Sequence, residues 1–420
     1  MGIAALGVCL SFLGILNVLA TALVIGPLVS EHHLASRVVM LLTLGATLVL
    51  PLAALIFCNR RGWLRWPQLT ALWVLVLANF AYLTWDEPAV RRPLTMDELS
   101  PALPSDEATF QIFLRYAKNT PAANAVKPPK LQIGAAMGDM VANPEKWIQY
   151  LRNHRAEIEA EWVTLAPIRA WWDELAAQPR IGDLTPPDPA SPIIAFQPGR
   201  SYSQFAVAIA SLQALDGHGD EAMATVTRLY DVARKFEPNS RTLARSMVAK
   251  VIQRMAIQAG GFVLDHATVS PASRAALAAE ISAAAGGPAG ARRLILIEYA
   301  YFQPLFSLYI GGAPVADGHG GRLLQQFVHL LGRIVVNPSA TQNLVGDHYY
   351  QLAALAEERR LGELKATKGP INRDFLGGYH VKNLGGRLFA DMAIPGLSSV
   401  VKSYWDVEDL RTALLTRLRA

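Results

Sequence analysis

Three long stretches without a charged residue open this chain, and they limit what it can fold into more than any other feature. Residues 3–28 hold no charge, and only Ser11, Asn17 and Thr21 interrupt their apolar run. Residues 38–57 and 69–85 are two further uncharged stretches. A helix needs about 20 residues to cross roughly 30 Å of hydrocarbon. Each stretch is near that length, the third being the shortest. Pro51 lies inside the second, where a membrane helix can tolerate it because neighbours re-satisfy the freed carbonyl. The expectation is a membrane module of three transmembrane helices over residues 1–85.

The flanks give an orientation. The link between the first two stretches contains Glu31, His32, His33 and Arg37. The next link contains Arg60, Arg61 and Arg65 and no acid. Short arginine-rich loops stay cytoplasmic. Arg60, Arg61 and Arg65 therefore place the N-terminus inside and everything after Trp85 outside. Trp63 and Trp66 suit an inner aromatic belt, and Tyr82 and Trp85 an outer one. A cleaved signal peptide is the alternative for the first stretch, but the basic n-region is missing and the run is long for an h-region. A buried soluble core is the alternative for all three.

Charge and cysteine usage exclude several function classes. Residues 1–85 carry four arginines and one glutamate, and the remaining 35 bases and 33 acids nearly balance. A pI near 9.2 is therefore no argument for nucleic-acid binding. Both cysteines, Cys9 and Cys58, fall in or beside the uncharged stretches. The rest of the chain has no thiolate for a disulfide, an iron–sulfur cluster or a cysteine nucleophile.

Residues 86–200 read as proline-rich linkers around short helices. Ser105-Asp106-Glu107 supplies an N-cap and an acidic first turn. Asn143-Pro144-Glu145 is a second helix start, and Pro167 is expected to break the helix begun there. Four tryptophans, Trp147, Trp162, Trp171 and Trp172, fall here at helical spacing. They suggest a packed core seam, with an aromatic binding face as the alternative. Residues 201–420 read as helical hairpins. Gly217-His218-Gly219-Asp220 turns the chain, Gly260-Gly261 is expected to stop one helix, and Ser270-Pro271 to start the next. Residues 292–310 are apolar but contain Glu298 and Pro304, which suggests a buried helix rather than a fourth span. Asp406-Val407-Glu408-Asp409 is expected to cap the last helix.

Gly219, Asp220, Glu221, Ala222 and the closing Pro238 resemble part of a tetratricopeptide unit. The aromatic–Leu-Gly spacing of that repeat is missing and no second copy occurs at about 34 residues. The order of helices over residues 201–420, with Asp220-Glu221-Ala222, Ser270-Pro271 and the run from His380 to Leu388, resembles uncharacterised bacterial membrane-anchored helical proteins. That resemblance implies a fold and a topology and carries over no catalytic residue.

Motifs that carry chemistry are few. Gly199-Arg200-Ser201-Tyr202-Ser203 misses the last glycine of a nucleophile elbow. No phosphate-binding glycine loop occurs. His154, Glu157 and Glu161 share a helical period but lack the second helix a di-metal site needs. His329, Asp347 and His348 could meet across a hairpin with a zinc- or iron-like ligand set. Glu298, Asp317 and His319 are the weak catalytic candidates. The expected class is all-α: three transmembrane helices, then a helical hairpin domain. The expected role is a membrane-anchored extracytoplasmic binding or scaffold module of the bacterial inner membrane. It would have the lipid bilayer and an envelope protein as partners, no nucleic acid and no cofactor. The alternative is an enzyme, possibly metal-dependent, with a site between helices around Glu298, His329, Asp347 and His348.

Overall fold

The computed structural model describes residues 87, 89–115, 130–186, 197–284, 286–310, 337–367 and 396–420. The three uncharged stretches and Arg60, Arg61 and Arg65 lie outside these residues. Every regular element among the described residues is a helix, so the class is all-α. The main helices are α1 (Asp106–Arg115), α2 (Pro144–Asn153), α3 (Arg155–Thr164), α4 (Ala166–Ala176), α5 (Gln197–Leu215), α6 (Gly219–Phe236), α7 (Leu243–His266), α8 (Pro271–Ala283), α9 (Gly287–Ile310), α10 (Pro338–Glu357), α11 (Leu361–Ala366) and α12 (Ser398–Arg419). The chain divides into two compact units. The larger comprises Leu94–Tyr301, Tyr350–Ala366 and Gly396–Ala420; the smaller comprises Met1–Pro93, Phe302–Tyr349 and Thr367–Pro395.

In the larger unit, α5, α6 and α7 pack on one another in sequence order, and α8 and α12 close over α6 and α7. Short connections make consecutive helices neighbours. Sequence-coded caps set several boundaries. The Asn143 side chain accepts from the Lys146 N–H and Pro144 fills the first turn of α2. The side chains of Thr242 and Ser270 accept in the same way at the starts of α7 and α8. The tryptophan helices share this core: Trp147, Trp171 and Trp172 are buried. Trp162 is half-buried, stacked on Tyr202 at 5.4 Å between ring centres. The Trp147 indole N–H donates to Ser211 Oγ at 3.3 Å and that of Trp171 to the Ile112 carbonyl at 2.9 Å. The seam is packing.

Three boundaries differ from the sequence expectation. The helix begun at Asn143 ends at His154 and again at Leu165, where Pro167 fills the first turn of α4. α12 starts at Ser398, so Asp406–Asp409 lie inside the helix and do not cap it. α7 does not stop at Gly260-Gly261 but runs on to His266. Gly260 is a packing position: a Cβ there would sit 3.2 Å from Leu277 and from Leu414, so the missing side chain lets α8 and α12 approach α7. Helix propensity alone would reject glycine there, and tertiary contact overrides it.

α9 runs unbroken through Pro304. Leu294, Ile295, Leu296, Ile297 and Tyr299 are buried. No helix among the described residues, α9 included, is long and apolar enough to cross a membrane. α10 ends with Arg359 in the left-handed region at φ 58°. The N–H of Arg360 bonds to Leu355 O at 2.9 Å and that of Arg359 to Ala356 O at 3.2 Å, a Schellman closure that usually takes glycine. Arg359 is held there by Asp409 and by the Trp405 ring.

The two adjacent glycines of α7 have opposite roles. Gly260→Val should lower stability by about 2 kcal/mol through overpacking. Gly261, whose Cβ would meet only the Arg417 guanidinium at 3.3 Å, should gain roughly 0.5–1 kcal/mol as Ala. Urea midpoints of the two variants check both signs.

Candidate functional site

Among the residues singled out for chemistry, Asp317, His319 and His329 lie outside the described residues. Glu298 belongs to the larger unit, and Asp347 and His348 to the smaller. Among the described residues, neither unit by itself assembles the set. The Asp347 carboxylate is engaged by two cations of its own unit, Arg91 at 3.2 Å and Arg92 at 3.0 Å. His154 and Glu157 form a half-exposed contact at 3.1 Å, and Glu161 is taken by the Lys130 N–H. Among the described residues no group of three or more His, Cys, Asp and Glu is disposed to hold a metal ion.

A polar cluster instead gathers around the N-terminal end of α7. Asp183 is buried. It accepts from the Arg245 guanidinium at 2.7 and 2.8 Å and from the Arg241 backbone N–H at 2.9 Å. A carboxylate placed before the first turn of a helix complements its dipole. The Arg241 guanidinium reaches Asp97 at 2.5 Å and the Ser100 carbonyl at 3.0 Å. Arg293, on α9, donates to the carbonyls of Leu99, Glu237 and Ser240 at 3.2, 3.3 and 2.9 Å. Burial pulls its pKa down, and the charge of Glu237 opposes that. These arginines fasten residues 94–100, 183–185 and 237–245 to one another.

Glu298 sits at the edge of this cluster, half-buried on α9. Its partner is a peptide group, the Leu243 N–H in the first turn of α7. Burial pushes its pKa up to about 7, and the Leu243 N–H offsets only part of that. A carboxyl that titrates near neutrality can accept or release a proton in general acid–base chemistry. Such groups also arise from structural burial alone.

The second cluster was not visible as a site in the sequence. Lys250 on α7 and Glu408 on α12 are 1% and 4% exposed and form a 2.9 Å ion pair. Lys250 Nζ also donates to Gln253 at 3.2 Å and stands 4.5 Å from the centre of the Tyr404 ring. Glu408 also accepts from Arg411 and, at 3.1 Å, from the Gly287 N–H at the start of α9. The Tyr404 hydroxyl donates to the Gly287 carbonyl at 3.1 Å. Gly290 admits that phenol: a Cβ there would lie 2.0 Å from its oxygen. Burial tends to raise the Glu408 pKa, but Lys250, Arg411 and the Gly287 N–H together hold it below the usual carboxylate range. Little in the sequence signalled it, since Lys250 shares its helical face with the polar residues Ser246 and Gln253.

A cleft of about 310 Å³ is lined by Ala176, Ala224, Thr227, Ser273 and Ala276, together with Arg228, Asp231 and Glu280. Its charges are paired within the unit: Arg228 with Asp173 at 2.7 Å, Asp231 with Arg234 and Lys235, and Glu280 with Arg234. Comparison with protein-family models, with curated proteins and with solved structures returned no match for this chain.

Two predictions test these clusters. Lys250→Met leaves Glu408 buried without its lysine and should cost roughly 3–5 kcal/mol, while Lys250→Met with Glu408→Leu should recover most of it. A double-mutant cycle by chemical denaturation measures the coupling. Glu298 has a folded pKa near 7, above the 4.5 of an ordinary glutamate, so the folded state binds the proton more tightly. The stability this confers is complete below the ordinary value and is lost as the pH rises through 7. Glu298→Gln should therefore be roughly 1–3 kcal/mol more stable than the parent at pH 8 and nearly equal to it at pH 4, read from urea midpoints.

Proposed function

We propose that the chain is a membrane-anchored helical protein whose larger unit is an extracytoplasmic binding or scaffold module of the cell envelope. The observation that carries this reading is the run of three uncharged stretches at residues 3–28, 38–57 and 69–85, each near the length of a bilayer-spanning helix. Arg60, Arg61 and Arg65 support the orientation. The all-α larger unit, with its buried arginines spent on acids and backbone carbonyls of the same unit, supports a module that presents a surface. Its partners in this reading are the bilayer and a protein of the envelope.

A second reading, an enzyme with a site between helices, is favoured by Glu298 alone. Its half-buried carboxyl is tuned toward neutrality by burial and faces a helix N-terminus. His329, Asp347 and His348 belong to that reading only as residues that would have to join it.

Topology separates location from mechanism. Val163 is 71% exposed on α3, so Val163→Cys, in a chain with Cys9 and Cys58 replaced by serine, reports its compartment. The cysteine should react with a membrane-impermeant maleimide in intact cells whose outer barrier is permeabilised. Labelling that appears only after lysis would reverse the orientation, and recovery of the protein in the alkaline-wash supernatant would remove the anchor.

A further inference from the structure

The smaller unit contains an arrangement that the proposed function does not use. Residues 89–93, which come after the third uncharged stretch, are fastened to α10 and to Gln303. Asn343 on α10 is 2% exposed. Its Oδ1 accepts from the Arg91 backbone N–H at 2.6 Å, and its Nδ2 donates to the Ala89 carbonyl at 3.1 Å and to the Glu87 carboxylate. One turn later on the same face, Asp347 receives Arg91 at 3.2 Å and Arg92 at 3.0 Å. The Gln303 amide donates to the Arg92 carbonyl at 3.3 Å. The Asn343 bonds join positions 252 and 254 residues apart in the chain.

We infer that residues 89–93 are a strap latched to α10 in two parts, a buried Asn343 pin and a salt-labile pairing of Arg91 and Arg92 with Asp347, whose release uncouples the segment beyond the third span from α10. The inference rests on the proposed reading of residues 69–85 as a span.

The two parts differ physically. Asn343 makes both backbone bonds of a strand-like partner, and its amide is out of water. Such bonds depend little on salt, and leaving their partners unsatisfied is costly. Arg91, Arg92 and Asp347 are 59%, 46% and 40% exposed. Pairs so exposed are weak and are screened by ions over about 10 Å at 0.1 M salt. Ionic strength should therefore loosen one part of the latch and leave the other in place. In this reading Asp347 is an anchor for the strap.

Limited trypsin digestion of the full chain in its membrane tests this. Only the Arg91–Arg92 bond of the strap is cleavable, since Pro93 comes directly after Arg92. In the latched protein this bond should be cut far more slowly than in an unstructured reference peptide carrying the same sequence, added to each digest. Asp347→Asn should speed its cleavage about threefold, and Asn343→Ala about tenfold, with the thermal midpoint of the larger unit unchanged. Raising salt should speed cleavage in the parent relative to the reference peptide and have no such effect in Asp347→Asn. Parent cleavage at the reference rate, or equal protection in both variants, would overturn the latch. If Asn343→Ala does not fold, Asp347→Asn and the salt series still decide. Retention after an alkaline wash is scored separately, so a failed anchor and a failed latch give different results.

Discussion

The Lys250–Glu408 pair determines how the larger unit closes. Taking a lysine and a glutamate out of water costs several kcal/mol for each ion, and their attraction offsets this only with good geometry and further hydrogen bonds. Both conditions are met. Lys250 has Glu408, Gln253 and the Tyr404 ring; Glu408 has Lys250, Arg411 and the Gly287 N–H. The arrangement works only when α7, α9 and α12 are all seated, because each supplies a group another needs. It fixes the register of α12 where apolar contacts such as Val407 and Leu414 would tolerate a slide. Its acid side also gives it a pH window: with the Glu408 pKa held low, its contribution is present at neutral pH and is lost as the pH falls through and below the usual carboxylate range.

The arginines around the start of α7 solve a related problem. Residues 94–105 and 237–242 lie between the longer helices, so their backbone carbonyls have few partners of their own. Buried carbonyls must find donors. Arg241, Arg293 and Arg180 supply them in groups, reaching Ser100, Leu99, Glu237, Ser240 and Pro101. A planar guanidinium has five N–H donors in a fixed fork, which suits it to serve several carbonyls at once. Asp183 and Asp106 keep the cations of this region in place. Irregular chain is thereby tied to the helices beside it.

Range decides which features could be read from the sequence. Caps are local, so Asn143-Pro144 and Ser270-Pro271 were legible and fall where expected. The hairpin turn expected at Gly217–Asp220 was legible for the same reason, although Gly219 and Asp220 already belong to α6, and the tryptophan seam was legible from its spacing. Gly260-Gly261 misled because the reason for glycine there lies on Leu277 and Leu414, in other helices. Asp406–Asp409 misled because three acids look like a cap until Lys250, 158 positions away, is seen to need one of them. Of the candidate site, Glu298 was legible as an acid on an expected buried helix. That the partner is a peptide N–H at a helix start could not be read from composition. The Asn343 contacts were hidden likewise, since an asparagine within a helix gives no sign of what it holds.

The position of α12 in the gene order has a consequence for biosynthesis. Every element that α12 covers is encoded before it, by more than a hundred residues in the case of α7 and α8. While a ribosome makes the chain, α7 therefore exists for some time with Lys250 bare and with the apolar face around Gly260 not yet covered by α12. The larger unit cannot complete its core until α12 emerges. During that interval the unclosed face is what a chaperone, or a neighbouring nascent chain, would meet.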